Sequence, residues 1–291
     1  MDKFIALFAS GITIGAIMAI VALGFLVLYK ATGIVNFAHG ELVTLGSYFG
    51  LWAISTIGLP VIPGYLLALV LMFGGGVVLE RVAYAPLRKR PVLIVVIATL
   101  AASIVIGGLL ALWQGNTPQT LASPVGTGSF TVDGAHISYQ QVLVVAVCAV
   151  IVVVLLYVFQ RTTFGRQVRA LASDREMAEL VGVRSRAISI FAFGISAVLA
   201  GIAGLLIAPL TAVDLTFGFT AMITAFTAAV IGGFGSLPGV VLGGLFIGLL
   251  QQVVGGYLVP NYSETLPFIA LFIVIVVRPQ GLTRAVGRAR L

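Results

Sequence analysis

Residues 4–29, FIALFASGITIGAIMAIVALGFLVLY, form a run of 26 residues without Asp, Glu, Lys or Arg. About 20 apolar residues suffice to cross the hydrocarbon of a bilayer as a helix. The run is about twice as long as the apolar core of a secretory signal, and no polar mature domain follows it. It therefore predicts a transmembrane helix that is retained as an anchor.

Similar runs follow along the rest of the chain. Residues 91–132, 187–213 and 215–263 also lack charged side chains. Apolar residues make up 60% of the chain and charged residues 9%, a composition that does not suit a single water-soluble core. The runs have helical length and no strand-like alternation. We therefore predict an all-α, polytopic transmembrane bundle of about 8–10 spans, forming a single domain over residues 1–291.

Basic residues are concentrated in three parts of the chain. Fourteen of the sixteen lie within residues 81–90, 161–186 and 278–290. Because short cytoplasmic loops are enriched in Lys and Arg, these segments are assigned to the cytoplasm. Each adjoins an apolar run, so anionic lipid headgroups explain the net charge of +7 better than nucleic acid does.

Alternation between the two sides predicts the remaining topology. The outward connections are near residues 56–64, 115–138, 211–219 and 259–264. The spans are near residues 4–29, 34–57, 62–82, 91–113, 139–160, 187–209, 220–234, 237–258 and 265–279. This order places the N-terminus outside. Glycine breaks within 34–57 and 220–258 could instead form re-entrant half-helices, which would change the number of crossings.

The segment 161–186 carries nine of the 25 charged residues, although apolar runs flank it on both sides. Ser173 and Glu176 have the spacing of a capping box, in which the two side chains satisfy exposed amides at a helix start. A short helix is therefore expected to begin near Asp174 in a loop at the membrane surface.

This short helix is expected to have one apolar face. Met177, Leu180 and Val181 stand at positions i, i+3 and i+4, and Gly182 is suited to the left-handed residue that ends a helix. A one-to-two-turn amphipathic helix in a basic loop suggests a docking element for a partner protein.

The first glycine-rich interruption covers residues 33–50, GIVNFAHGELVTLGSYFG. It places Asn36, His39 and Glu41 in or beside an apolar segment, where an ionised carboxylate is costly unless it is paired or hydrated. One interpretation is a broken helix that lines a polar pathway. The other is a carboxylate that caps a helix at the cytoplasmic edge of the membrane.

The second interruption covers residues 231–248, IGGFGSLPGVVLGGLFIG. Gly235, Gly239 and Gly243 follow one another at four-residue steps, which lets two helix backbones touch. A tight helix pair is the structural interpretation. Interrupted segments in both halves of a chain are also typical of transport sites.

Motifs for chemistry within the chain are missing. None of the three lysines follows a glycine, so the phosphate-binding G-x-x-x-x-G-K-[ST] loop is excluded. The H-E-x-x-H and G-x-S-x-G patterns are also missing. The only cysteine, Cys148, cannot form a disulfide or a cysteine metal site within one chain. No enzymatic activity, catalytic residue, metal or cofactor is expected.

Four blocks resemble those of the bacterial branched-chain amino acid permease family, the membrane subunits of high-affinity ABC importers. They are GIVNFAHGEL at 33–42, TTFGRQVRALASDREMAELVGV at 162–183, AAVIGGFGSLPGVVLGG at 228–244 and RPQGL at 278–282. NFAHGE makes the chain more similar to the LivH-type permease than to its LivM-type partner.

The resemblance implies a multi-pass subunit of the bacterial cytoplasmic (inner) membrane that translocates leucine, isoleucine and valine. Its partners would be a LivM-type permease, two cytoplasmic ATPase subunits that bind the ATP, and an extracytoplasmic amino-acid-binding protein. Residues 173–182 resemble the family's coupling helix. The implied coupling residues are Arg169, Ser173, Asp174, Arg175, Glu176, Met177, Ala178, Leu180 and Gly182. Asn36, His39 and Glu41 are the candidates for a pathway or gate.

Other functions remain open from sequence. An ABC permease of this kind could carry urea, a short amide or another amino acid. A stand-alone secondary transporter or channel would need ionisable residues in the membrane for ion coupling, and the predicted spans hold few. An inert anchor subunit would not need glycine-broken segments.

Overall fold

A computed structural model describes residues 2–115, 117–132, 134–258 and 260–277. The described chain is mainly helical. The helices are α1 (Asp2–Thr32), α2 (His39–Leu51), α3 (Val61–Leu79), α4 (Val92–Gln114), α5 (Tyr139–Arg161), α6 (Thr163–Ser173), α7 (Arg175–Leu180), α8 (Ser185–Ile207), α9 (Phe217–Gly232), α10 (Leu237–Leu249), α11 (Gly255–Leu258) and α12 (Leu266–Val277). Short π-helical turns extend α2 through Trp52–Thr56, α3 through Glu80–Tyr84 and α10 through Leu250–Val254, and a 3-10 turn covers Pro260–Thr265.

Six described helices are long and apolar enough to cross a membrane. They are Asp2–Thr32, Val61–Tyr84, Val92–Gln114, Tyr139–Arg161, Ser185–Ile207 and Leu237–Leu258. Two shorter apolar helices cover Phe217–Gly232 and Tyr262–Val277. Each predicted span therefore contains a helix, and the predicted helical membrane fold is confirmed. Residues 278–291 lie outside the described residues. They include the end of the last predicted span and the whole of the third basic segment.

The outward connection predicted at 115–138 contains the only sheet in the described part of the chain. Strands β1 (Ser129–Val132) and β2 (Ala135–Ser138) pair antiparallel, with Ser129 opposite Ser138. Between them Gly134 has a φ of 84°, which favours glycine because other residues are strained there. The hairpin shows that the predicted all-α fold has a small β exception in this connection.

The chain forms two compact units, each assembled from separated segments. One comprises Gly24–Ala122 and Val153–Met222. At its centre α8 packs against α2 and α3 through small residues. A Cβ on Gly76 would lie 2.8 Å from Ala197 Cβ, and one on Gly204 would lie 2.7 Å from Ser47 Oγ. These helices therefore approach closely because they lack side chains at the contact.

The other unit contains the first part of α1, the hairpin, the start of α5 and the chain from Ile223 onward. Within it α10 packs through glycines on two faces. A Cβ on Gly243 would lie 3.0 Å from Gly232 Cα of α9. On the other face, a Cβ on Gly244 would lie 2.7 Å from Ala19 Cα, and one on Gly15 would lie 2.8 Å from Leu245 Cα.

This arrangement corrects the predicted glycine series in one respect. Gly235 lies in the turn before α10. Ser236 is the N-cap of α10, and its hydroxyl accepts a hydrogen bond from Gly239 N. Gly235 is therefore not part of the helix face, although Gly239 and Gly243 are. Sequence spacing missed this because it does not show where a helix begins.

The ends of α1 agree with the predicted sidedness. At the N-terminal end, Asp2 Cγ lies 2.9 Å from where a Cβ on Gly134 would be, beside the hairpin predicted to face outward. At the other end, Lys30 is within electrostatic range of Arg169 in the basic segment assigned to the cytoplasm. This supports an outside N-terminus.

Candidate functional site

The segment between α5 and α8 folds into two short helices with defined starts. Thr162 caps α6, and its hydroxyl accepts from Gly165 N at 3.3 Å. Asp174 caps α7, and its carboxylate accepts from Met177 N at 3.0 Å. The predicted capping box is therefore wrong, since Ser173 is the last residue of α6 and Glu176 lies one residue before the position that a box capped by Asp174 requires. The predicted helix start near Asp174 is confirmed. An Asp carboxylate caps a helix as well as a Ser hydroxyl does. Its negative charge is also stabilised by the positive N-terminal end of the helix dipole.

The end of α7 follows the prediction. Gly182 has a φ of 90°, and its N–H donates to Glu179 O. The Val183 N–H donates to Ala178 O at 3.0 Å. These bonds satisfy carbonyls that a helix end would otherwise leave open. The chain therefore turns sharply out of α7 towards α8.

Side-chain contacts attach this segment to the rest of its unit. The Arg169 guanidinium donates to Phe159 O of α5. Arg175 donates to the Tyr84 hydroxyl and to Glu179 Oε1, both at 3.4 Å. Partial burial would lower the pKa of Arg175, but the hydrogen bonds to Tyr84 and Glu179 outweigh burial and raise it above its usual value. Arg175 is therefore a permanent cation that joins α7 to the end of α3.

The apolar face predicted for α7 points away from its own chain. Met177 is 62% exposed, Leu180 81% and Val181 79%. Glu176 is also exposed, whereas Ala178 is only 4% exposed and packs inwards. Of the residues predicted for coupling, Ala178 is thus unavailable to a partner, and the exposed apolar surface consists of Met177, Leu180 and Val181. We call these three residues the α7 face.

The second candidate region begins at the break between α1 and α2. Gly33 ends α1 with a φ of 76°. Asn36 is buried, and its side-chain oxygen accepts from Ala38 N at 3.0 Å while its backbone oxygen accepts from His39 N. The Asn36 Nδ2 atom has no hydrogen-bond partner among the described residues. Asn36 therefore shapes the turn that starts α2.

His39 is completely buried at the first position of α2. Its Nδ1 atom lies 3.1 Å from Ser196 Oγ of α8, and its ring packs on Phe25 with the centroids 4.4 Å apart. A Cβ on Gly24 would lie 2.6 Å from His39 Cε1, so the imidazole fits only against a glycine. His39 thus fixes α2 against α1 and α8.

Glu41 lies on another side of α2, facing α4. It is 8% exposed, and its Oε1 accepts from Ser103 Oγ at 3.4 Å. Its Oε2 atom is buried and has no hydrogen-bond partner among the described residues. The three predicted pathway residues therefore lie on one short segment, but His39 and Glu41 have different neighbours.

A second buried carboxylate, which the sequence patterns do not identify, lies at the end of α3. The Glu80 side chain is fully buried, with Arg81 Nε 3.9 Å from Oε2. Arg186 and Arg88 are also within electrostatic range. The position of Glu80 inside an apolar run is the sequence signal for a buried carboxylate, but the adjacent Arg81 obscures it. Within the described residues, no group of three or more His, Cys, Asp or Glu side chains could hold a metal.

Comparison with known proteins identifies a family. Residues 7–275 match the family described as branched-chain amino acid transport system, permease component. The chain is 34% identical to the high-affinity branched-chain amino acid transport permease BraD of Pseudomonas aeruginosa, over 94% of this chain and 93% of that one. It is 33% identical to the permease LivH of Escherichia coli strain K12, over the same two shares.

A solved structure is similar at a lower level. PsaBC from Streptococcus pneumoniae in complex with Fab aligns with 96% of this chain and 91% of its own, with a TM-score of 0.47 and 14% identity.

Proposed function

This chain belongs to the permease-component family of branched-chain amino acid transport systems, and we propose that it carries leucine, isoleucine and valine as the partner of a LivM-type permease. It is a multi-pass permease of an ABC importer in the cytoplasmic membrane, and it is a non-catalytic subunit. Separate ATPase subunits bind the ATP, and a binding protein is the further partner.

The α7 face is the observation that carries the proposed coupling role. Met177, Leu180 and Val181 are exposed, yet the helix that bears them is capped at both ends and attached to Tyr84 through Arg175. An amphipathic helix laid in a groove uses anchors at this spacing. Movement of an ATPase groove would therefore reach the end of α3 through a short, hydrogen-bonded connection.

Asn36, His39 and Glu41 are proposed to serve the pathway in different ways. Asn36 and His39 set the position of α2 through the turn at its start and the contacts with Phe25 and Ser196. Glu41 has a buried oxygen without a partner. Asn36 Nδ2 also lacks a partner among the described residues, but of the three only Glu41 has a carboxyl group that can pair with a cationic donor. Glu41 is therefore the group expected to meet the substrate.

The substrate is tested by uptake into vesicles that contain the reconstituted importer and receive its binding protein. Labelled leucine is expected to accumulate with ATP, and unlabelled isoleucine and valine are expected to compete. Labelled urea serves as the comparison substrate. Uptake of urea without uptake of leucine would assign the chain to a different substrate class. Purification without ATPase subunits would contradict the assignment of partners.

A further inference from the structure

Helices α2 and α4 pack against each other along a seam. Successive contacts in this seam lie further towards the C-terminal end of both helices. Phe37 N donates to Thr99 Oγ1 at 3.2 Å at one end. One turn further, Ser103 Oγ donates to Glu41 Oε1. Beyond this pair the contacts become apolar. The seam therefore passes from a polar step to an apolar pocket within one unit of the chain.

The pocket is an open groove with a volume of about 350 Å³, lined by Leu45, Phe49, Ile106, Leu109, Leu110 and Trp113, of which Leu109 and Trp113 are exposed. Ligand sites commonly measure about 300–1,000 Å³. The space is therefore ample for a branched aliphatic side chain.

Glu41 places a carboxyl group next to this pocket. Its Oε2 lies 3.5 Å from where a Cβ on Gly107 would be, and Gly107 follows the pocket residue Ile106 in α4. A buried carboxylate oxygen without a partner is unfavourable. An ionised carboxylate can only accept hydrogen bonds, so its natural counterpart is a cationic donor. Leu45 stands one helical turn beyond Glu41, at a rise of about 6 Å, which matches the length of one amino acid.

We propose that this seam is a translocation subsite for a zwitterionic amino acid, in which Glu41 and Ser103 receive the α-ammonium group and the pocket receives a branched aliphatic side chain. The inference rests on the proposed function and identifies the residues that read the substrate. Glu41 and Ser103 bind the α-ammonium group, which is common to every α-amino acid, and therefore do not discriminate between them. The apolar pocket separates large side chains from small ones.

The test compares leucine and alanine uptake by the complete reconstituted importer. Ile106→Trp fills the pocket, and Ile104→Trp is the matched control because Ile104 lies on the same helix, is 78% exposed and does not line the pocket. One methylene in an apolar pocket changes selectivity about 10–200-fold. Ile106→Trp is therefore expected to reduce the leucine-to-alanine uptake ratio at least about tenfold relative to the control. The same binding protein is used throughout, so its own preference cancels.

Glu41→Gln tests the other end of the seam. It is expected to raise the KM for leucine and alanine by the same factor, because both have an α-ammonium group, and co-purification of the ATPase subunits verifies assembly. An unchanged leucine-to-alanine uptake ratio in assembled Ile106→Trp overturns the subsite. That result is expected if a lipid acyl chain or the second permease, rather than the substrate, fills the pocket. That result leaves the proposed function intact when the wild type imports leucine. Failure of the wild type to import leucine overturns both.

Discussion

Truncation of two of the three residues of the α7 face is expected to weaken attachment of the ATPase without unfolding the permease. The change is Met177→Ala combined with Leu180→Ala. Both side chains are mostly exposed, at 62% and 81%, so their truncation removes little packing within the chain itself. The free energy of unfolding should change little, because surface substitutions usually have effects within about 0.5 kcal/mol.

The loss of binding follows from the exposed fractions. Full burial of a Met or Leu side chain contributes about 1.5–3 kcal/mol. Scaled by the exposed fractions, burial of both in an ATPase groove contributes roughly 2–4 kcal/mol. At about 1.4 kcal/mol per tenfold change, the Kd should rise by about 30-fold to 1,000-fold.

The affinity is measured by titrating purified ATPase subunits onto permease in lipid nanodiscs. Leu112→Ala is the matched control, because Leu112 is 87% exposed but lies in α4 rather than on the α7 face. A change in Kd smaller than about threefold in the double variant, or an equal change in the control, would refute the assignment of α7 as a coupling helix.

Three further perturbations test other parts of the structure. Gly243→Leu should lower the yield of assembled protein, measured by gel filtration, because even a Cβ there meets the α9 backbone, whereas Gly108→Leu has open space and should assemble normally. In a cysteine-free background, single cysteines at Ser173 and Ser123 should react with an impermeant reagent from opposite sides, and equal reaction from outside would contradict the topology. Tyr84→Phe removes a hydrogen bond from α7, so binding-protein-stimulated ATP hydrolysis should fall while the ATPase remains bound; unchanged stimulation would show that this bond transmits nothing.

The helical segments could be predicted from sequence because they depend on local composition. An uncharged run such as 4–29 must satisfy its own backbone hydrogen bonds in a bilayer, and the helix is the simplest way to do so. The end of α7 was also predictable, since Gly182 tolerates the φ of 90° that terminates it. Its cap was not, because Ser173 and Asp174 are both good capping residues and adjacent in sequence.

The site could be predicted only in part, because it depends on contacts distant in sequence. The pattern of residues 33–50 identified His39 and Glu41, but not that they face Ser196 and Ser103 respectively. A serine in an apolar helix is common, and nothing local indicates which carboxylate it meets. The pocket is likewise formed by side chains from two helices, and its nearest lining residues across them, Phe49 and Ile106, are more than 50 residues apart in sequence.

Backbone packing on both faces of α10 has a mechanical consequence. Gly243 contacts α9 and Gly244 contacts α1 mainly through backbone atoms, while Ile231 of α9 and Ile247 of α10 also pack together. Helices with interlocking side chains must change rotamers to slide past one another, whereas small shear displacements between packed helices occur readily where the surfaces are smooth. We therefore expect the glycine contacts of α10 to permit small displacements along its axis, which would give a transporter a sliding element between α1 and α9.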